Sequence, residues 1–393
     1  MAHTSSLQTV LDQSVASGDV PFVVAMVTDA AGIRFSGASG EASPGRSANT
    51  DTIFRVFSMS KAICATAAAI LIDRGRLNVD TAVQAILPEF AQVQVLEGFV
   101  EGEPVLRRPR NLATIRHLAS HTSGLAYEPW SEKMSLYMER TGHPSIITGT
   151  SASLFYPMMT DPGSEWAYGP GVDWLGLVVE AVDGRDIARF CREEIFEPLG
   201  MTDTYFDVPA GAAERLAAVS LRMAGGDFER IIIGPPLDPE VYFMGQALYC
   251  TAPDYIRLLR MFLNRGQLDE NRILSEDAIA FMLSDQTRGL PFVKMSSCSP
   301  LAADVDPFPG AYLTHSFGFL RNEHDVSGMR SAGAQGWAGL LNSHYWFDPA
   351  KEVAAVFMTQ SLPFADPRYM QRFNAFERAV YRAGGLSIGS LKT

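Results

Sequence analysis

The sequence predicts an α+β fold: an antiparallel sheet flanked by helices, with a mainly helical region inserted between the two halves of the sheet. Three observations carry this: helical apolar spacing at both ends, two hairpin-like apolar runs far apart, and a long helical middle punctuated by Pro and Gly. At the N-terminus Leu7, Val10, Leu11 and Val15 recur at i, i+3, i+4 and i+8, one face of an amphipathic helix. Residues 21–28 form a short apolar run stopped by Asp29-Ala30-Ala31-Gly32, and 33–38 read as the returning strand. The apolar stretch 58–74 is a helix, with Gly75 offering its C-terminal cap. From Thr81 to about Leu199 the pattern is mainly helical, with helices expected near 114–120, 132–140, 171–182 and 187–196. A further helix, 252–265, is stopped by Gly266. Residues 336–347 and 353–359 read as a second hairpin about the turn 348–351. A closing helix, 366–382, carries Phe373, Phe376, Val380 and Tyr381 on its apolar side. Two stretches, 97–110 and 285–312, look irregular and too long for simple connectors, which makes them candidates to border a site.

A chain of 393 residues suggests two domains, or one large domain with an insertion. With 47% apolar and 19% charged residues it can build a sizeable core, and global disorder is excluded. The net charge of −12 argues against nucleic acid and anionic membrane surfaces, because binding phosphate needs a cationic face. The densest basic cluster, Arg107, Arg108 and Arg110, reads as a solvated loop. Cys64, Cys191, Cys250 and Cys298 lie far apart with no CxxC, so free thiols in a reducing cytoplasm are the expectation. Residues 1–10 show neither the basic nor the apolar region of a signal peptide, consistent with a cytoplasmic protein. The longest apolar run, 62–72, falls well short of the ~20 residues a membrane span needs, and reads as a buried helix.

Two motifs are decoys. Gly385-Leu386-Ser387-Ile388-Gly389 matches the GxSxG elbow, but that motif must be followed by an acid and a histidine, and the chain ends at Thr393. His117 and His121 sit at i, i+4, yet the glutamate of HExxH is missing between them, and histidines bonded to backbone at a helix end explain them. No P-loop, Rossmann fingerprint or EF-hand loop is present. Neither a cofactor nor a metal is expected.

The informative signal is Ser58-Met59-Ser60-Lys61. At i, i+3 on a helix Ser58 and Lys61 share a face. A serine hydroxyl is a poor nucleophile until a neighbour takes its proton, and a lysine whose ammonium is disfavoured by burial can do so. Ser58 in the first turn also sees free backbone N–H groups that favour a developing oxyanion. Of five lysines, Lys61 alone lies in a strongly apolar helix. A snorkelling lysine beside a capping serine fits the same four residues. A second element, 162–171, is a tight Gly/Pro turn presenting Tyr168 before a helix. A phenol between a lysine and a serine can relay a proton to a leaving alkoxide; a turn tyrosine packed on Trp166 is the plainer alternative. The third is Gly336-Trp337-Ala338-Gly339 entering a strand, where small residues let a substrate lie close and the Leu340 N–H offers a second oxyanion donor. An ordinary glycine-bearing edge strand fits it too.

Together these elements resemble the serine β-lactamase and penicillin-recognising superfamily, and within it the class C-like branch of the family VIII carboxylesterases. Thr52-Ile53-Phe54-Arg55 leading into Ser58–Lys61, the run Thr114 to Leu125, the turn Pro162 to Tyr168, Tyr249-Cys250-Thr251-Ala252-Pro253-Asp254-Tyr255 and the Trp337 strand carry the resemblance, which covers most of the chain. It implies a β-lactamase/transpeptidase-like fold, with residues 1–80 and 212–393 in an α/β domain, 81–211 in a mainly helical domain, and the active site between them. It implies Ser58 as acylated nucleophile, Lys61 and Tyr168 as base and proton relay, and the Ser58 and Leu340 N–H groups as oxyanion hole. Substrate would lie along Trp337, Ala338 and Gly339.

Two departures bear on the activity. The lactamase Tyr-x-Asn becomes Tyr168-Gly169-Pro170, and the Lys-Thr/Ser-Gly strand motif becomes Trp337-Ala338-Gly339. An anionic lactam loses its cationic and hydroxyl partners, a cost of a few kcal/mol in charge-assisted hydrogen bonds. The expectation is a serine carboxylesterase acting on short-chain neutral esters, with a small-molecule ester as its partner. An acyltransferase using the same site is the alternative, ahead of a β-lactamase or D-Ala peptidase and of a non-catalytic binding module. Oligomeric state is not readable from the sequence.

Overall fold

Strand Phe22–Thr28 and strand Val353–Met358, more than three hundred residues apart, pair antiparallel with Val24 opposite Met358. This pairing joins the two predicted hairpins into one sheet in the computed structural model, which describes residues 2–382. The order across the sheet is Leu313–His315, Leu320–Asn322, Gln335–Gly339, Ser343–Asp348, Val353–Met358, Phe22–Thr28, Ile33–Ser43 and Arg46–Ser47. Every neighbour is antiparallel.

The central strand is apolar at nearly every position because both of its faces are covered. Val23, Ala25 and Val27 face the terminal helices Ala2–Ala16 and Pro367–Arg382, packing with Leu7, Leu11, Phe373 and Phe376. Phe22, Val24 and Met26 face the other way, into the main core. That core contains helix Ser60–Asp73, buried from Ser60 to Leu71, which explains why its sequence is apolar all round. It packs against Gly171–Asp183, so one continuous core runs from the sheet into the helical region. Gly75 follows the helix at φ +69°, the left-handed geometry expected of a C-terminal glycine.

The structure corrects several expectations. The stretch 97–110 is not irregular: Val95–Val100 and Glu103–Arg107 form a hairpin, whose exposed face carries too few apolar residues to signal strands. Residues 336–347 are not one strand but two, Gln335–Gly339 and Ser343–Asp348. The chain reverses at Asn342, φ +60°, whose amide side chain bonds the carbonyls of Ser361 and Pro363 and the N–H of Ala365. Helix 187–196 is regular only over Ile187–Cys191 and widens to a π-turn over Arg192–Phe196. The edge strand Leu313–His315 and its neighbour Leu320–Asn322 are too short to read from periodicity. Residues 285–312 hold no helix or strand, only the bridges of Met295 to Val305 and of Ala302 to Phe364. Gly385–Gly389 lies outside the described residues. Among the described residues no helix is long and apolar enough to cross a membrane.

Candidate active site

The turn that carries Ser58 is built under strain. Phe57 sits at φ +42°, in the left-handed region a bulky residue rarely adopts, and Ser58 follows in the short 3₁₀ turn Phe57–Met59. Phe57 packs with Val219, Leu341 and Leu362, which holds it there. The turn is braced from below: the Tyr255 hydroxyl donates to the Met59 carbonyl at 2.9 Å and the Leu248 N–H to Ser60 Oγ at 3.1 Å. The predicted helix entry around Asp254-Tyr255 therefore supports the site. Asp254 anchors that entry, accepting from the Asp203 N–H and the Thr204 hydroxyl.

Lys61, only 1% exposed, donates to Ser58 Oγ at 2.9 Å and to the Gly245 carbonyl at 2.9 Å. The Tyr168 hydroxyl donates to Ser58 Oγ at 2.7 Å, and Trp337 Nε1–H donates to the Tyr168 hydroxyl at 3.2 Å. Four of the predicted residues thus form one hydrogen-bonded chain. The others converge as well. Ala338 and Leu340 line the same cleft as Ser58, and a Cβ on Gly339 would lie 2.2 Å from the Val56 carbonyl oxygen, so the strand touches the nucleophile turn backbone to backbone. The snorkelling-lysine, packed-turn-tyrosine and simple edge-strand readings do not describe this arrangement.

The run Thr114–Leu125 carries the Tyr168 turn. Thr122 O accepts from the Gly163 N–H, His121 O from the Ala167 N–H, and Tyr168 O from the Tyr127 N–H. His117 closes a capping box with Thr114, and His121 lies beyond that short helix at φ +56°, with Nδ1 accepting from the Gly169 N–H at 3.5 Å. His121 packs edge-on to Tyr168 and to His315, both ring pairs at 4.9 Å. Burial holds His121 well below the ordinary histidine range and His315 at about 3, so both rings stay neutral beneath the tyrosine.

The sequence reading missed Tyr127, Trp130, Asp173, Gly245 and Phe364. Tyr127 and Trp130 box Tyr168, with ring centroids at 5.0 and 5.5 Å. Asp173, 1% exposed, accepts from the Gly245 N–H at 2.6 Å and the Tyr127 hydroxyl at 3.3 Å. Burial raises its carboxyl to about 6, opposed by nearby Lys61 and these two hydrogen bonds. An aspartate amid Gly171-Val172-Trp174-Leu175 was the available signal, since a buried charge without a purpose is costly.

The cleft above Ser58 encloses about 600 Å³ of empty space, part of it open to solvent. Tyr127, Trp130, Ile146, Ile147, Trp337 and Phe364 supply most of its apolar wall, and Glu128 is its one formally charged lining residue among the described residues. The irregular stretch 285–312 does border it: the Cys298 N–H donates to Pro129 O, and Ala303 and Leu301 exchange backbone bonds with Phe364. Cys298 is exposed, the other three cysteines are buried, and all four are free. Among the described residues no group of three His, Cys, Asp or Glu is arranged to hold a metal.

The chain is similar to known proteins over nearly its whole length. The chain is 28% identical to a monacolin J acid methylbutanoyltransferase of Aspergillus terreus over 95% of both chains. It is 26% identical to a lovastatin esterase of Penicillium rubens over 96% of this chain and 98% of the other. Unliganded simvastatin synthase from Aspergillus terreus superposes with a TM-score of 0.84 at 25% identity, over 97% of this chain and 98% of that one. Residues 7–379 match the family described as Beta-lactamase. A match over this much of the chain shows the family, and the protein belongs to the beta-lactamase family.

Proposed function

We propose that the protein is a serine carboxylesterase acting on short-chain neutral esters through an acyl-enzyme on Ser58. The observation that carries this is the double contact on Ser58 Oγ, from Lys61 at 2.9 Å and Tyr168 at 2.7 Å. As Ser58 attacks the ester carbonyl, its proton passes to the Lys61/Tyr168 pair and the new oxyanion is held by the Ser58 and Leu340 N–H groups. Collapse of the tetrahedral adduct breaks the C–O bond to the alcohol, which leaves with a proton from Tyr168. Water then attacks the acyl-enzyme, gives its proton to the same pair, and releases the acid and free Ser58.

The lining of the cleft supports the substrate class. A lactam carboxylate would meet Trp337 instead of a cation, and would share the cleft with Glu128. A neutral ester meets no such cost. Transfer of the acyl group to an alcohol is the second reading, because one relative is named for moving a methylbutanoyl group, and alcohol in place of water needs no new residue.

The test is hydrolysis of p-nitrophenyl butyrate by the wild type and Ser58→Ala, with a chromogenic cephalosporin in parallel and with added alcohol acceptor. Ester turnover lost in the variant, with little lactam cleavage, is the expected result. Turnover that persists in Ser58→Ala sinks the proposal. Products that are mainly new esters rather than acid would move the protein to the acyltransferase reading.

A further inference from the structure

We infer that Asp173 is a positioning residue behind Lys61: tied to Gly245 and Tyr127, its carboxylate is the counter-charge that sets the pH at which the Ser58 base becomes free to take a proton. The inference rests on the esterase reading for its activity readout. Its structural basis is a single relay through one peptide. The Gly245 N–H donates to Asp173 at 2.6 Å while the Gly245 carbonyl accepts from Lys61 at 2.9 Å, and Lys61 in turn reaches Ser58. Carboxylate, peptide, ammonium and nucleophile are aligned in sequence, each polarising the next.

The relay is closed by shape. A Cβ at Gly245 would lie 2.7 Å from Asp173 Oδ1 and 2.8 Å from the Tyr127 hydroxyl, so only glycine fits between the acid and the lysine. Asp173 stands in the first turn of helix Gly171–Asp183, where the unsatisfied N–H groups favour an anion. It is held by two hydrogen bonds from neutral donors, not by an arginine clamp.

The groups around this carboxylate leave one charge to answer it. From helix Ser60–Asp73 come Lys61 and Cys64, and burial keeps Cys64 a thiol. From the loop before Trp130 comes Tyr127, kept a phenol first by burial and then by Asp173 itself. Tyr168 stands edge-on to Tyr127, and on the far side of Lys61 are the neutral His121 and His315. Asp173 and Lys61 therefore face each other across the Gly245 peptide, and Glu128, which accepts from the Ser145 and Tyr156 hydroxyls, is the further anion near Tyr127. The Lys61 ammonium also lies 5.1 Å from the Tyr127 ring and 5.0 Å from the Tyr168 ring.

The sign of the effect does not depend on which group takes the first proton. An anion at Asp173 attracts positive charge at Lys61 and repels negative charge at Tyr168, so it opposes the uncharged amine and the phenolate alike. Removing the charge while keeping the shape must move the activity toward acid.

The experiment is the pH dependence of kcat/KM for p-nitrophenyl butyrate in the wild type and Asp173→Asn, whose amide oxygen can still accept from Gly245. The rising limb is expected to move to lower pH by about one unit, the small end of the effect of a nearby charge. A variant with reduced rate but an unmoved limb would assign Asp173 a packing role and overturn the inference. Tyr127→Phe keeps the charge and removes one hydrogen bond; an acid shift of the same size in this variant would equally overturn it. The coupling is reciprocal, so it can be read without Asp173→Asn: in Lys61→Met the buried carboxylic acid that titrates near neutrality, followed by its infrared C=O band, is expected to titrate at higher pH than in the wild type. No movement of any such band overturns the inference even if the Asn variant does not fold. A wild type that turns over no ester would instead sink the esterase reading, and the infrared titration would still decide the role of Asp173.

Discussion

The Trp337 indole donates its N–H to the Tyr168 hydroxyl at 3.2 Å, with the two rings 4.9 Å apart, where the related lactamase motif carries a lysine. A neutral donor here orients the phenol toward Ser58 without adding a second cation beside Lys61. Trp337→Phe keeps an aromatic ring, though a smaller one, and removes the donor. A hydrogen bond of about 1 kcal/mol net corresponds to a loss of roughly fivefold to tenfold in kcat/KM, borne by kcat because the apolar wall remains. The check is steady-state kinetics on p-nitrophenyl butyrate; a change confined to KM would mean that Trp337 only binds substrate.

Gly339 is where the strand Gln335–Gly339 meets the turn that carries Ser58. Gly339→Ala places a methyl 2.2 Å from the Val56 carbonyl oxygen, so one backbone must move. Overpacking of this kind costs about 1–3 kcal/mol, and a displacement near 1 Å at a reacting centre costs on the order of 10²-fold in rate. Thermal melting together with ester turnover tests this. Full activity would show that the contact yields without disturbing Ser58.

The buried carboxyl of Asp173 predicts a trade between stability and activity. Its folded-state value of about 6 lies above the ordinary 3.8, so the folded protein binds this proton more tightly than the unfolded chain. The group therefore costs stability above pH 6, and the cost vanishes as pH falls to about 4. Asp173→Asn is expected to raise stability at pH 8 by up to about 3 kcal/mol, a gain that fades toward pH 4. Urea melts at the two pH values measure it; an equal gain at both would point to packing rather than charge.

Buried histidines act in the opposite sense. Burial holds His315 and His344 at about 3, and His121 well below its ordinary value. A depressed folded-state value gives stability that is complete above about 6.5 and is lost as pH falls toward 3. His117 is lowered as well, and these histidines act against the raised carboxyls of Asp173, Asp254 and Glu180; the melting temperature is expected to fall between pH 7 and pH 5. His344 sits against Phe364, Tyr369 and Phe373, away from Ser58, with no hydrogen-bond partner at Nε2. His344→Phe should flatten the acid limb of the melting curve, and an unchanged limb would remove this histidine from the account.

Much of the protein was legible in one dimension. The terminal helices, the buried helix behind Ser58 and the two hairpins follow from side-chain periodicity, which is local and survives without knowledge of the fold. Ser58 and Lys61 were legible for the same reason, because one helical turn places them together. Tyr168 and the Trp337 strand were marked by Gly and Pro turns and by likeness to known motifs, not by any visible connection to Ser58.

What tertiary structure alone decided is the convergence. Tyr168 is 110 residues from Ser58 and Trp337 is 169 from Tyr168, and no local rule relates them. Asn342 reverses a run that reads as one strand, because its amide finds Ser361, Pro363 and Ala365, partners set by the fold. Asp173 shows the limit most clearly. In sequence it is an ill-placed acid in an apolar helix; in the fold its carboxylate lies one peptide away from the lysine beside Ser58. Sequence specifies which groups are present and which local elements they sit in, whereas charge, burial and hydrogen bonding between distant elements exist only once the core has closed around them.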